Sequence, residues 1–264
     1  MILALDVGNT QVFGGLIENG EVVFSFRRSS KTGASSDEIG IFLRTVLREN
    51  GYDPKGVTKI AVCSVVPSDN HSIASACLKY FQITPLFVDA SSKCGFENKI
   101  ESPQELGADR IVNAIAAMAR YPNKSLIVID LGTATTFCAI NAKGEYLGGV
   151  IMAGLKLQNE ALGQRAAKLS NVEIRKAENV LGTDTVKSMQ SGLYYGHLGA
   201  AKEIISKLAR ECFAGEKPIV IGTGGFSSLF EHEDIFDEIA PDLVLHGLAR
   251  AVELNQDIFV PTAK

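Results

Sequence analysis

The chain contains the same hairpin twice, and this duplication constrains its fold more than any other feature. The opening ILALDVGNTQVFGGLIENGEVVFSF reads as an apolar strand ending at Asp6, a Gly/Asn/Thr turn, a second strand, an Asn19-Gly20 hairpin signal and a third strand. Further on, LIVIDLGTATTFCAINAKGEYLGGVI repeats the arrangement. With Asp6 set on Asp130, Gly8 falls on Gly132, Phe13 on Phe137, Gly20 on Gly144 and Glu21 on Glu145 without a gap. Glycine and aspartate recur at turns for purely local reasons. Strand and turn signals that stay in register together point instead to an internal repeat.

The rest of the chain divides into two halves, each opening on a hairpin, and we expect domains at residues 1–121 and 122–264. Residues 37 to 50 have helical spacing through Ile41, Leu43, Val46 and Leu47, with Asn50-Gly51 as a stop. Residues 59 to 66 read as a buried strand ended by Pro67. SPQELGADRIVNAIAAMARYP has the marks of one capped helix, with Ser102 as N-cap, Pro103 at the first position and Glu105 closing a capping box. Residues 186 to 213 form a long helical candidate, IVIGTGG is a strand running into a glycine turn, and LVLHGLARAVEL is an apolar helix near the end.

The 264 residues are 46% hydrophobic and 21% charged, ordinary for a globular protein with a sizeable core. A formal charge of -4 gives no bulk attraction for nucleic acid. Five cysteines without a C-x-x-C pair suggest neither a zinc ribbon nor a disulfide framework. The four histidines lack metal-ligand spacing and read as structural or surface residues. With no basic leader and no long apolar run, the expectation is a cytoplasmic protein without membrane partners.

Asp6-Val7-Gly8-Asn9-Thr10 places a carboxylate at a strand end beside a tight turn. There Gly8 lets a phosphate approach, and backbone N–H groups and the Thr10 hydroxyl can bond its oxygens. Asp6 can orient magnesium or its waters. An ordinary hairpin with an Asx-type turn explains one such motif. The second, Asp130-Leu131-Gly132-Thr133, shifts the reading toward a pair of turns that grip a polyphosphate. Gly222-Thr223-Gly224-Gly225 lacks the third glycine of a dinucleotide fingerprint and occurs too late in the chain for one. It suits an adenosine lying flat against backbone at Gly222, Gly224 and Gly225. No P-loop motif is present.

In this order, D-x-G-N-T, D-x-G-T and G-T-G-G resemble the phosphate and adenosine motifs of the actin, sugar kinase and heat-shock ATPase superfamily. The implied fold is α/β, a duplicated ribonuclease-H-like domain with the nucleotide in an interdomain cleft. Within that superfamily the DVGNT opening and Glu105-Leu106-Gly107-Ala108-Asp109-Arg110 look like type III pantothenate kinase. Gly182-Thr183-Asp184-Thr185 and Gln190-Ser191-Gly192 resemble that family's segment before its long helix.

The resemblance implies ATP-dependent phosphorylation of pantothenate, the first step of coenzyme A biosynthesis. It implies ATP contacts from Asp6, Val7, Gly8, Asn9, Thr10, Gln11, Val12 and Phe13 and at Thr133. Pantothenate contacts are implied at Gly107, Ala108, Asp109, Arg110 and Thr185, with Asp109 as the base facing the acceptor hydroxyl. Further implications are a monovalent cation, potassium or ammonium, at Asp130, magnesium with ATP, and a homodimer. Asp184 and Ile100 depart from the family pattern, which has Asn and an aromatic residue there. The rivals are a kinase of the same fold for another hydroxylated acceptor and an actin-like nucleotide-dependent regulator.

On the helix expected from Ser102, Ala108, Ile111, Val112, Ile115 and Ala119 trace an apolar face, with Asp109 and Asn113 on its flank and Gly107 inside it at a cost of about 1 kcal/mol relative to alanine.

Overall fold

The computed structural model describes residues 1–31 and 33–259 and divides into two compact α/β units. The first comprises Met1–Phe96, Glu101–Ala119 and the stretch that begins at Asp242; the second comprises Glu97–Ile100 and Arg120–Pro241. In the first, β1 (Ile2–Val7), β2 (Gln11–Glu18), β3 (Glu21–Ser29), β4 (Lys59–Ser64) and β5 (Leu86–Val88) lie in the order β3-β2-β1-β4-β5. In the second, β7 (Leu126–Leu131), β8 (Ala134–Ile140), β9 (Glu145–Ala153), β10 (Ile219–Thr223) and β11 (Glu238–Ile239) lie in the same order. A short β6 (Glu97–Asn98) is added in parallel on β9. Three strands form an antiparallel meander; β4 then joins β1 and β10 joins β7 in parallel, and β5 and β11 extend the sheets in parallel on β4 and β10. This is the duplicated ribonuclease-H-like architecture.

The ladders refine the repeat. Asp6 pairs with Phe13, whereas Asp130 pairs with Thr136, because the turn between β7 and β8 is one residue shorter than that between β1 and β2. The next hairpin is one residue longer, so β3 and β9 return to the original register. The structural counterpart of Phe13 is therefore Thr136, and Phe137 corresponds to Gly14. A gapless alignment cannot see two compensating changes of loop length. The irregularity between Leu16 and Ile17 recurs at the equivalent place, between Ala139 and Ile140. Because a one-residue slip turns every side chain to the other face, the shift puts Phe137 into the core with no exposure.

Strand periodicity places Leu3, Leu5 and Val7 on one face of the first sheet, where they meet Ile39, Leu43 and Leu47 of α1 (Ser36–Glu49) and Ile73 of α2 (Pro67–Phe81). Ser35 and Glu38 close a reciprocal capping box at the start of α1. Sequence reading left α2 unassigned; Pro67, read as the end of a strand, is the first residue of that helix, where its missing N–H costs nothing. In the second unit Ile127, Ile129, Leu131 and Phe137 pack with Leu155 of α4 (Leu155–Arg165) and with Leu193, Tyr194 and Leu198 of α5 (Thr185–Cys212).

Two further expectations are corrected. The division at 121/122 fails because α6 (Leu243–Leu254) packs on β1, β2 and β4 of the first unit. It covers the sheet face opposite α1 and α2, and Gly15 makes room for it: a β-carbon there would stand 2.6 Å from Leu245 Cδ1. The helix expected from Ser102 is also broken. Pro103–Glu105 is a separate 3-10 turn without a side-chain cap, Leu106 is extended and buried, and α3 (Ala108–Arg120) begins only after Gly107. Burial of Leu106 requires that change of direction. Gly107 thus precedes the helix instead of interrupting it, and its carbonyl accepts the Ile111 N–H. The helix is buried continuously from Ile111 to Ala117, whereas Ala119 is exposed. Among the described residues no helix is long and apolar enough to cross a membrane.

Candidate active site

The first turn is built by the end of β1. Asp6 and Gly8 are half-buried, whereas Asn9, Thr10 and Gln11 are exposed. The Gly8 N–H donates to the Gln11 carbonyl at 3.1 Å, closing the turn. Ser30, just beyond β3, fastens it: its N–H donates to Thr10 O at 2.9 Å and its hydroxyl to Gly8 O at 2.5 Å. The turn is held from its carbonyl side, and the exposed Asn9 and Thr10 remain at its tip.

The second turn uses the same device. Gly132 N–H donates to Ala134 O at 3.1 Å, and Gly154 N–H donates to Thr133 O at 3.0 Å. Gly154 corresponds to Ser30, so Thr133 corresponds to Thr10 and Asn9 is the extra residue of the first turn. A β-carbon on Gly154 would collide with the Gly132 and Thr133 carbonyls. Sequence reading missed Ser30 and Gly154, although both stand one residue past the third strand of their hairpin.

The glycine turn adjoins the second turn. Thr223 pairs with Asp130, and the Phe226 N–H donates to Leu131 O at 3.2 Å. Gly224 has φ +86° and packs so closely on Asp130 and Leu131 that a side chain would have no room. Gly222 is buried against Phe236, and Gly225 is exposed. Asp130, Thr133, Gly222, Gly224 and Gly225 therefore form one locale within the second unit.

At the start of α3, Asp109 and Arg110 are half-buried. One Asp109 oxygen, Oδ1, accepts the Arg110 N–H at 2.9 Å, and a β-carbon on Gly107 would stand 2.5 Å from that same oxygen. Thr185 is the first residue of α5, behind Asp184, whose side chain accepts the Lys187 N–H at 2.8 Å. That bond, followed by the Lys187 ammonium, holds the Asp184 carboxyl below its ordinary range. As N-cap, Asp184 supplies the same kind of side-chain acceptor as the Asn expected there from the resemblance. Thr185 lines an open hollow of about 630 Å³ with Gln158, Leu162, Gly182 and Met189.

Behind the second turn, His197 of α5 is buried. Its Nε2 lies 3.0 Å from Thr135 Oγ1 and its Nδ1 3.3 Å from the Gln158 amide, which also donates to Ala153 O at 2.7 Å. Burial lowers its pKa, and a neutral ring protonated on Nε2 satisfies both neighbours. Among the described residues no cluster of three or more His, Cys, Asp or Glu could hold a metal ion. A divalent ion would therefore need oxygens from a bound nucleotide besides those of Asp6, which are of the hard type magnesium prefers.

In the solved structures, a Campylobacter jejuni protein assigned to the Baf family of transcriptional activators matches with a TM-score of 0.61 at 17% identity, covering 97% of this chain and 99% of that one. At that identity the likeness concerns the fold alone. The type III pantothenate kinase of Elusimicrobium minutum is 47% identical over 258 residues, 98% of this chain and 100% of that protein. The type III pantothenate kinase of Legionella pneumophila (strain Corby) is 51% identical over 255 residues, 97% of this chain and 99% of that protein. The model of the same family matches residues 2–207. On these grounds the chain belongs to the type III pantothenate kinase family.

Proposed function

We propose that this chain transfers the γ-phosphoryl group of ATP to the terminal hydroxyl of pantothenate, opening coenzyme A biosynthesis. The observation that carries the acceptor is the 51% identity, across 97% of the chain, to a type III pantothenate kinase. The two matching turns support the nucleotide. The first, Asp6 to Phe13, and Thr133 of the second receive the phosphates, and the backbone at Gly222, Gly224 and Gly225 receives the adenosine. Asp6 would hold magnesium or its waters, and the ion would neutralise charge on the phosphate oxygens. Asp130, packed against Gly224 at the end of β7, would hold potassium or ammonium.

Phosphoryl transfer through a loose transition state asks a protein chiefly for positioning and neutral charge balance. Gly107, Ala108, Arg110 and Thr185 position pantothenate in this reading. Asp109 accepts the hydroxyl proton: the Arg110 N–H engages one carboxylate oxygen, Oδ1, and the other would receive the proton. A strongly basic group is not needed, because the proton leaves late.

We assign a homodimer and a cytoplasmic location on narrower grounds. Exposed apolar side chains recur through the second unit at Ile151, Leu157, Leu162, Val180, Leu181 and Val186, and a second copy would cover them. All five cysteines are free thiols, as suits a reducing compartment. ADP release measured with and without pantothenate, together with product mass, tests the function. Release that pantothenate does not stimulate, with no phosphorylated product, would exclude it.

A further inference from the structure

We propose that Arg27, on the strand beside the first turn, is a phosphate-binding residue of this kinase; the proposal rests on the reading that this turn holds the nucleotide. Asp6 pairs with Phe13 and Phe13 with Arg27, so the three side chains form a row across β1, β2 and β3 on one face of the sheet. The Arg27 guanidinium lies over the Phe13 ring, 3.9 Å from its centroid. Such stacking engages the face of the guanidinium and leaves its in-plane N–H donors free. Arg27 is exposed and takes part in none of the ion pairs among the described residues.

Among the described residues, two neighbouring cations are paired or turned away from this row. Lys31 is bound to Glu38 at 2.8 Å. Arg28 alternates to the opposite face, where it lies over Phe42. Neither phosphate turn contains a lysine or arginine of its own.

The duplication supplies an internal comparison. The equivalent row of the second hairpin is Asp130, Thr136 and Ile151, and Ile151 is 61% exposed. Of two rows built alike, only the first ends in a cation. Covering an aromatic ring does not by itself require a charge. A guanidinium held flat one strand away from the phosphate turn does meet the need of a polyphosphate for planar, multidentate donors.

The test is equilibrium binding of ATP, ADP and adenosine to the folded protein, which needs no turnover. Arg27→Gln should weaken ATP and ADP binding roughly tenfold or more and leave adenosine within about twofold, and Arg27→Lys should fall between. Phe13→Lys combined with Arg27→Gln moves the charge one strand inward and should restore much of the loss. Asn9→Asp, at the exposed tip of the turn, is the control, since a carboxylate there opposes phosphate whatever Arg27 does. If Asn9→Asp loses ATP and Arg27→Gln binds it like the parent, the Arg27 proposal falls and the turn stands. If neither substitution affects ATP, the nucleotide reading of the turn fails, and Arg27 with it.

Discussion

Gly224 rests directly on Asp130. The glycine turn after β10 folds back with φ +86° at Gly224, and a β-carbon at that position would collide with the Asp130 carboxylate and the Leu131 backbone. Two segments more than ninety residues apart in the chain thus share one small volume, and a single absent methyl group permits it.

Gly224→Ala should therefore destabilise the protein by about 1–3 kcal/mol, combining left-handed strain with displacement of Asp130. Urea unfolding measures the first effect and KM for ATP the second. An unchanged KM in the folded variant would separate the glycine turn from the nucleotide.

Asp109→Asn preserves size and removes the proton acceptor. Its kcat should drop on the order of 100-fold or more while ATP affinity is kept. Near-normal turnover would leave Asp109 a helix-start residue bonded to the Arg110 N–H.

Asp6 and Asp130 occupy equivalent positions but are expected to do unequal work. Activity should be several-fold higher in potassium or ammonium than in sodium at matched ionic strength, and Asp130→Asn should blunt that preference more than Asp6→Asn. Equal rates in sodium and potassium with saturating magnesium would count against a cation at Asp130.

His197 gives a pH signature. Burial lowers its folded pKa, so below its unfolded value of about 6.5 the unfolded chain binds a proton that the folded one excludes. Its contribution is complete above that pH and is lost as pH falls toward the folded pKa. The stability advantage of the parent over His197→Gln should accordingly shrink between about pH 7.5 and about pH 5.5. A pH-independent difference would mean that protonation of the ring does not matter.

Leu181→Asp probes association, since Leu181 is 81% exposed in the apolar stretch assigned to a second copy. The parent should sediment at twice the chain mass and the variant at the chain mass. Identical sedimentation would move the interface elsewhere or exclude a dimer.

The sequence by itself determined what depends on local chemistry and short-range pattern. The two meanders, their D-x-G turns, the strand before Gly222 and the limits of α6 all follow from periodicity and turn residues. The family could be read from the same motifs. Tertiary structure decided what depends on distant partners. Leu106 is buried, and this breaks a helix that Ser102, Pro103 and Glu105 would locally permit. Alpha-helix α6 returns to the first sheet because the face carrying Ala4 and Gly15 requires an apolar cover, which moves the boundary between the units. Two compensating loop lengths hid the pairing of Asp130 with Thr136, since register is fixed by hydrogen bonds across strands and not by residue counts along them. Ser30, Gly154 and Arg27 escaped notice for the same reason: each serves a turn from a neighbouring strand or just beyond it, and only the sheet brings them there.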